Sequence, residues 1–355
     1  MTRTRFLLPF FATASVAALA AVDTTEAVTL LRRLLPVLGF AGGMSVVVNL
    51  ASEVGVFEWA AARVRRFGFL ALCVVATVFL SLDTTAIMLT PLAVHLARRR
   101  GSRVTSLALP VVWIANLASL PLAVSNLTNL LALGTIGPQY VRIAAAPSLV
   151  AIAVAVIAAL LIDAHPTRSP TNHGDTPAPP VAALAVVGAA MCALLTPIPY
   201  WVTSSAAALA MVLLVGSKTR GALRLSLIPW SALALALALS SAATAAITLW
   251  GTVSVSGVWA MAGAGAVAAN LINNIPAYFL LEPAASGPTE LVALLIGVNA
   301  GAIVTPWASL ATLLWADQLR RAGEPVPWRQ FVCYGALLAP LAVAGATGAL
   351  VIAQR

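Results

Sequence analysis

Charge is scarce in this chain. Of its 355 residues 9% are charged and 61% are hydrophobic, too few polar groups to clothe a water-soluble domain of this size. The three cysteines, Cys73, Cys192 and Cys333, sit in separate apolar segments with no CxxC or zinc spacing. That excludes a disulfide framework and a structural zinc site, and leaves packing in the core as their expected role. The three histidines form no metal pattern: His95 adjoins a basic cluster, and His165 and His173 lie in a polar stretch. There is no GxxxxGK[ST] stretch, so any ATP chemistry would have to come from a partner, and no cofactor is implied. With no nucleophile and base pair either, the sequence does not describe an enzyme. Twenty basic against 11 acidic residues leave a net charge of +9. The basic residues are spread over short loops, however, and are not interleaved with aromatic residues on one domain, which excludes nucleic acid as a partner.

Long apolar segments are what the chain does have. About 20 helical residues cross a bilayer, and segments such as "SLVAIAVAVIAALLI" and "WSALALALALSSAATAAITLW" are apolar on every face, unlike the ten-residue alternating strands of a membrane barrel. The fold class is therefore all-α, a polytopic membrane protein. The N-terminus "MTRTRFLLPFFATASVAALAAVD" has the basic start, apolar middle and small-residue end of a signal peptide, and also fits an uncleaved first span.

Lysine and arginine favour cytoplasmic loops, and this places Arg63, Arg65 and Arg66 on the same side as the "RRRGSR" cluster that begins at Arg98. Only one apolar stretch lies between them. The two clusters share a side if residues 67–100 form a re-entrant hairpin whose tip is the polar "DTT" at Asp83, Thr84 and Thr85. Non-helical backbone at that depth must be buried in protein or line a wet cavity. The same reasoning demands a second hairpin, over 257–288, entering from the opposite side. All but four of the 20 basic residues (Arg32, Arg33, Arg142 and Arg355) then fall inside, and the loop with Glu282 and Glu290 falls outside.

The expected organisation is a first span and external segment over 1–33, then an N-terminal repeat over 34–162 with a broken helix at 104–133. A Pro-rich cytoplasmic linker occupies 163–180 and a connecting helix pair 181–224. A C-terminal inverted repeat over 225–355 carries a broken helix at 290–316. Asn273 and Asn274 mark the second hairpin tip as Asp83 and Thr84 mark the first. "SNLTNLLAL" and "TPWASLATLLW" are the matching interruptions downstream. Paired broken helices in inverted repeats point to a secondary transporter with its site near the midplane.

"SLDTTAIMLTPLAV", "SNLTNLLAL", "NLINNIPAYFLLEP" and "TPWASLATLLW" together resemble the signature segments of the arsenite and antimonite efflux permeases, in the superfamily that includes the divalent-anion/sodium symporters. The resemblance runs from about residue 34 to the end. It implies export of trivalent arsenic or antimony hydroxide across the cytoplasmic membrane, driven by protons or membrane potential, in some members with a separate ATPase subunit. It also implies hairpin-bearing domains that move against a fixed scaffold. Members of the superfamily are often dimers, and no residue here marks an interface. The chain departs from relatives that carry an Asp and "GPN" before the last broken helix: "GVNAG" places Asn299 and Ala300 there, which implies one polar contact fewer.

Eleven residues are candidates for the substrate or ion site. Asp83 is the one acidic residue placed deep in the membrane, where a carboxylate is costly and functional; the alternative is that it caps the returning half-helix. Thr84 and Thr85 are ligands or first-turn residues. Ser125, Asn126, Thr128 and Asn129, like Asn273 and Asn274, either line the site or knit helices together. Thr305 and Ser309 complete the set, with bonding to a carbonyl one turn back as their alternative role. No basic residue is placed near either tip, which suits a neutral hydroxide better than a dicarboxylate or sulfate.

Overall fold

The structure is a computed structural model that describes residues 4–56, 59, 66–162, 178–215 and 227–355. Most of the 163–180 linker lies outside the described residues, with His165 and His173, as do Arg63, Arg65, Lys218, Arg220 and Arg224. Among the described residues there are helices and no strands. In chain order they are α1 (Thr4–Val22), α2 (Thr24–Glu53), α3 (Arg66–Leu80), α4 (Leu82–Arg100), α5 (Thr105–Leu117), α6 (Leu127–Ile136) and α7 (Tyr140–Leu161). Then follow α8 (Val181–Ala193), α9 (Tyr200–Val215), α10 (Trp230–Trp250), α11 (Val258–Ile272), α12 (Asn274–Leu281), α13 (Pro288–Ala300), α14 (Leu310–Arg321) and α15 (Trp328–Ala353). Four stretches, Thr24–Glu53, Leu127–Leu161, Leu233–Trp250 and Trp328–Ala353, are long and apolar enough to cross a membrane. Shorter apolar helices include Arg66–Leu80, Thr105–Leu117, Val258–Ile272 and Pro288–Ala300, while α4 and α14 end in basic turns.

Two interruptions are single residues. α3 and α4 fold back on each other at Ser81 (φ 105°, ψ 159°), and α11 and α12 at Asn273 (φ 88°, ψ 152°). These are the only non-glycine residues with positive φ among those described, a conformation that is costly for an L-residue and persists only where the surroundings impose it. In both, the side chain offsets part of the cost by capping the next helix. Ser81 Oγ accepts from the Thr84 N–H and Asn273 Oδ1 from the Ile275 N–H.

The other two interruptions are longer. α5 stops at Leu117 and α6 starts at Leu127 behind Asn126 (φ −150°, ψ 146°); α13 stops at Ala300 and α14 starts at Leu310 behind Ser309 (φ −139°, ψ 153°). Each extended segment is tied by a hydroxyl to the carbonyl three residues before the neighbouring fold-back. Ser125 donates to Val78 O at 2.7 Å and Thr305 to Asn270 O at 2.8 Å.

Packing crosses between the halves. α4 lies against α14 and α12 against α6, while α2 flanks α4 and α10 flanks α12. Trp315 of α14, fully buried, donates its indole N–H to Ala108 O of α5 at 2.8 Å. At the ends of the second arms, Arg98 binds Glu324 and Arg33 binds Glu282. Arg33, one of the four basic residues left on the outer side by the loop assignment, thus meets the acidic loop assigned to that side.

With lipid outside, no hydrophobic force separates core from surface, and helices associate through close approach of small residues. α11 and α13 do this: a Cβ added to Gly297 would overlap Ala262 O and stand 2.8 Å from Ala266 N and 3.0 Å from Gly265 Cα. Gly297→Ala is therefore expected to lower the melting temperature in detergent, by the equivalent of about 2 kcal/mol. Gly263→Ala, whose Cβ meets nothing within 4 Å, is expected to raise it slightly through helix propensity. The lipid environment also corrects the expectation for cysteine. Cys73 is buried, but Cys192 and Cys333 are exposed, because an apolar residue here can equally well face outward.

Candidate functional site

At the centre of the molecule an asparagine and threonine cluster joins the two halves. Asn126 Nδ2 donates to Asn299 Oδ1 (2.7 Å), Thr128 Oγ1 donates to the same oxygen (2.9 Å), and Asn299 Nδ2 donates to Asn129 Oδ1 (2.8 Å). Backbone groups fix the polarity at both ends. Asn129 Nδ2 faces two carbonyls, Ser119 O and Leu122 O, and Asn126 Oδ1 faces the Thr128 N–H. Carbonyls only accept and amide N–H groups only donate, so each amide is held in one orientation. All four side chains are buried, with Thr128 and Asn129 at 0% exposure.

The second broken segment has its own asparagine clamp. Asn270 Oδ1 accepts from the N–H groups of Val304 and Thr305, and its Nδ2 donates to Ala266 O and Gly301 O. Asn273 Nδ2 donates to Trp307 O, and the Trp307 indole N–H donates to Asn270 O. Trp307 thus belongs to the break as well as to the surface. Asn274 gives its N–H to Ala308 O but leaves Oδ1 buried without a partner.

Beside the first fold-back lies an enclosed cavity of about 30 Å³. It is lined by Phe40, Met44 and Ser45 of α2, by Ser81, Asp83, Thr84 and Ile87, by Val124 and Leu127, and by Leu233 and Leu310 among others. Asp83 is the only charged residue in its wall, and its Oδ1 is buried with no hydrogen-bond partner. The cap of α4 is Ser81, so the capping role that the sequence leaves open for Asp83 is not the one it has. A serine hydroxyl two residues earlier reaches the first-turn N–H and frees the carboxylate.

The candidate residues therefore divide. Asp83 and Thr84 line the cavity. Thr85 is fully buried, its hydroxyl 3.0 Å from that of Thr77, and packs the two arms together. Asn126, Thr128 and Asn129 meet at Asn299, while Ser125 and Thr305 pin the broken segments. Ser309 caps α14 through the Thr312 N–H. None of Asn273, Asn274, Thr305 and Ser309 lines the Asp83 cavity. Three residues of the site, Asn299, Asn270 and Ser81, are not among the eleven candidates. Each carries the same signal that singles out the others, a polar residue in an apolar run. Among the described residues no group of acidic, histidine or cysteine side chains could hold a metal ion.

The chain is similar to known membrane transport proteins along most of its length. The arsenical pump membrane protein of Escherichia coli strain K12 is 28% identical over 351 residues, spanning 82% of this chain and 80% of that protein. The Shigella flexneri protein of the same name has the same figures, and that of Yersinia enterocolitica is 26% identical over 348 residues. A family model described as citrate transporter (CitMHS) matches residues 2–312. With apolar helices along its length and a match over most of the chain, the protein is a multi-pass membrane transporter and belongs to the CitMHS citrate transporter family.

Proposed function

We propose that this protein is a secondary transporter that exports trivalent arsenic or antimony, as the neutral hydroxide, across the cytoplasmic membrane. Its two halves act as inverted repeats, the fold-backs at Ser81 and Asn273 as tips of re-entrant hairpins, and the site is reached by alternating access. The observation that carries the substrate class is the wall of the Asp83 cavity. It holds one carboxylate, the hydroxyls of Ser45, Ser81 and Thr84, and no cation. A citrate trianion brought beside an uncompensated carboxylate would meet repulsion in a medium that screens poorly. An undissociated trihydroxide offers three O–H donors to the same oxygens and needs no positive partner. The relatives named arsenical pump membrane protein point the same way.

A cavity of about 30 Å³ has room for roughly two or three waters, less than a trihydroxide requires. The conformation described is therefore a closed one, and loading requires Pro229 and Leu233 to part from the Ser81 to Ile87 turn. Two chemically similar breaks, one in each half, supply the two-state element that alternating access needs. Protons or the membrane potential provide the drive.

Everted membrane vesicles test this reading. Arsenite uptake that depends on an imposed proton gradient or potential, and that excess citrate does not inhibit, is the expected result. Uptake of labelled citrate with sodium or protons, and none of arsenite, would overturn the substrate class and leave a family transporter of anions.

A further inference from the structure

We infer that the groove between α5, α7 and α15 binds one anionic phospholipid, with the headgroup at Arg103 and an acyl chain along the helices. The groove encloses about 400 Å³. Its wall is Leu109 and Trp113 of α5, Leu161 and Ile162 at the end of α7, and Tyr334 and Leu337 of α15, with Arg103, Thr105 and Gln330 among the remaining lining residues. The polar members include one cation, and none of the lining residues is acidic.

Charge chooses the occupant. Arg103 is exposed and has no ion pair among the described residues. Close by, Arg66 donates to Ala159 O and Ile162 O at 2.6 and 2.7 Å, which sets its charge over the carboxyl end of α7 where that helix borders the groove. Arg66 and Arg103, together with Arg98 to Arg100, make this the basic end of the molecule, the end assigned to the cytoplasm by its loops. An arginine beside a hydrocarbon groove at the headgroup level matches a phosphodiester joined to an acyl chain. A zwitterionic lipid would gain less, because its own cation offsets the phosphate.

A second observation is independent of charge. Trp113 lies ten residues beyond Arg103, about 15 Å further along α5, and with Tyr334, in edge contact at 5.7 Å, makes the deep wall of the groove aromatic and apolar, at the level of an acyl chain rather than a headgroup. Neither observation involves the Asp83 cavity or the transported solute, so this site stands or falls apart from the proposed function.

Native mass spectrometry of the full chain in mild detergent, with phosphatidylglycerol or phosphatidylcholine added, reads the site directly. One phosphatidylglycerol retained about fivefold better than phosphatidylcholine is expected. That preference should vanish in Arg103→Gln, and binding should fall in Leu337→Trp, which fills the groove from an exposed position. Arg142→Gln, the same charge change at the opposite end of α7, should leave both unchanged. Equal retention of the two lipids, or equal loss in Arg142→Gln, would overturn the proposal by reducing the effect to general surface attraction. Binding unchanged in Leu337→Trp would overturn it as a groove.

Discussion

Asn299→Leu is expected to lower stability by about 4 kcal/mol and to abolish transport, the largest effect of any substitution outside the Asp83 cavity. The leucine is close in volume but removes the acceptor for Asn126 Nδ2 and Thr128 Oγ1 and the donor for Asn129 Oδ1. Interhelical hydrogen bonds in membranes average about 0.6 kcal/mol each, so removing three accounts for about 2 kcal/mol. The remainder comes from the partners that stay buried. Thr128 can turn its hydroxyl to a carbonyl one turn back, but Asn126 and Asn129 are held by backbone groups on their other sides and cannot turn away. Each buried group left unpaired costs about 1 kcal/mol or more. Thr128→Val removes one of the three bonds and is expected to cost less than 1 kcal/mol. Combined with Asn299→Leu it should add almost nothing, since the bond is already gone. Thermal unfolding of the four proteins in detergent measures the cycle. Strict additivity of the two substitutions would sink the idea that Asn299 joins the halves through these side chains.

One side of this cluster is legible in the sequence and the other is not. Asn126, Thr128 and Asn129 stand out because four polar side chains crowd into an apolar run, and buried polar groups need partners. Their shared partner lies more than a hundred and fifty positions away in the other half, and no local pattern announces a pairing of that range. In the sequence Asn299 stands in an apolar run within the stretch that departs from the "GPN" of relatives, and nothing there names its partners. The fold supplies them, because Asn299 is the acceptor that two residues of the first half share.

The fold-backs show a related limit. Arginine clusters on both flanks of residues 67–97 suggest a chain that returns, and in the structure α3 and α4 meet at a sharp turn. Attention falls on Asp83 as the tip, because it is the charged residue; the turn itself is Ser81, as it is Asn273 rather than Asn274 in the second half. A turn at positive φ needs a residue whose side chain can cap the next helix at once, and short polar side chains meet that need. Charge marks what the turn presents, and backbone conformation marks where it is. The boundary read at residue 34 has no mark in the local structure: α2 begins at Thr24 behind Asp23, which accepts from the N–H groups of Thr25 and Glu26. Its first turns carry Glu26, Arg32 and Arg33, so the start of the helix is polar in composition although regular in structure.

Asp83→Asn is expected to separate stability from transport in opposite directions. Asparagine is isosteric and uncharged, and Asp83 makes no hydrogen bond through Oδ1 and caps no helix. A carboxylate buried without a partner is a cost of folding, so its neutral replacement should melt at or above the wild-type temperature. Gradient-driven arsenite uptake should nevertheless fall at least tenfold. If the substitution instead lowers the melting temperature, Asp83 holds the turn together and its place in the cavity is structural. Two functional roles remain to be told apart, and arsenite exchange without a gradient does so. A carboxylate that only carries the coupling proton is dispensable for exchange, in which no net proton moves, so Asp83→Asn would still exchange labelled for unlabelled arsenite. A carboxylate that receives the O–H groups of the hydroxide is needed in both assays. The asparagine Oδ1 is a weaker acceptor than the carboxylate oxygen, and its NH₂ offers donors where the hydroxide also offers donors. Loss of exchange together with driven uptake in a well-folded protein would therefore assign Asp83 to the substrate. Retention of exchange alone would assign it to the proton.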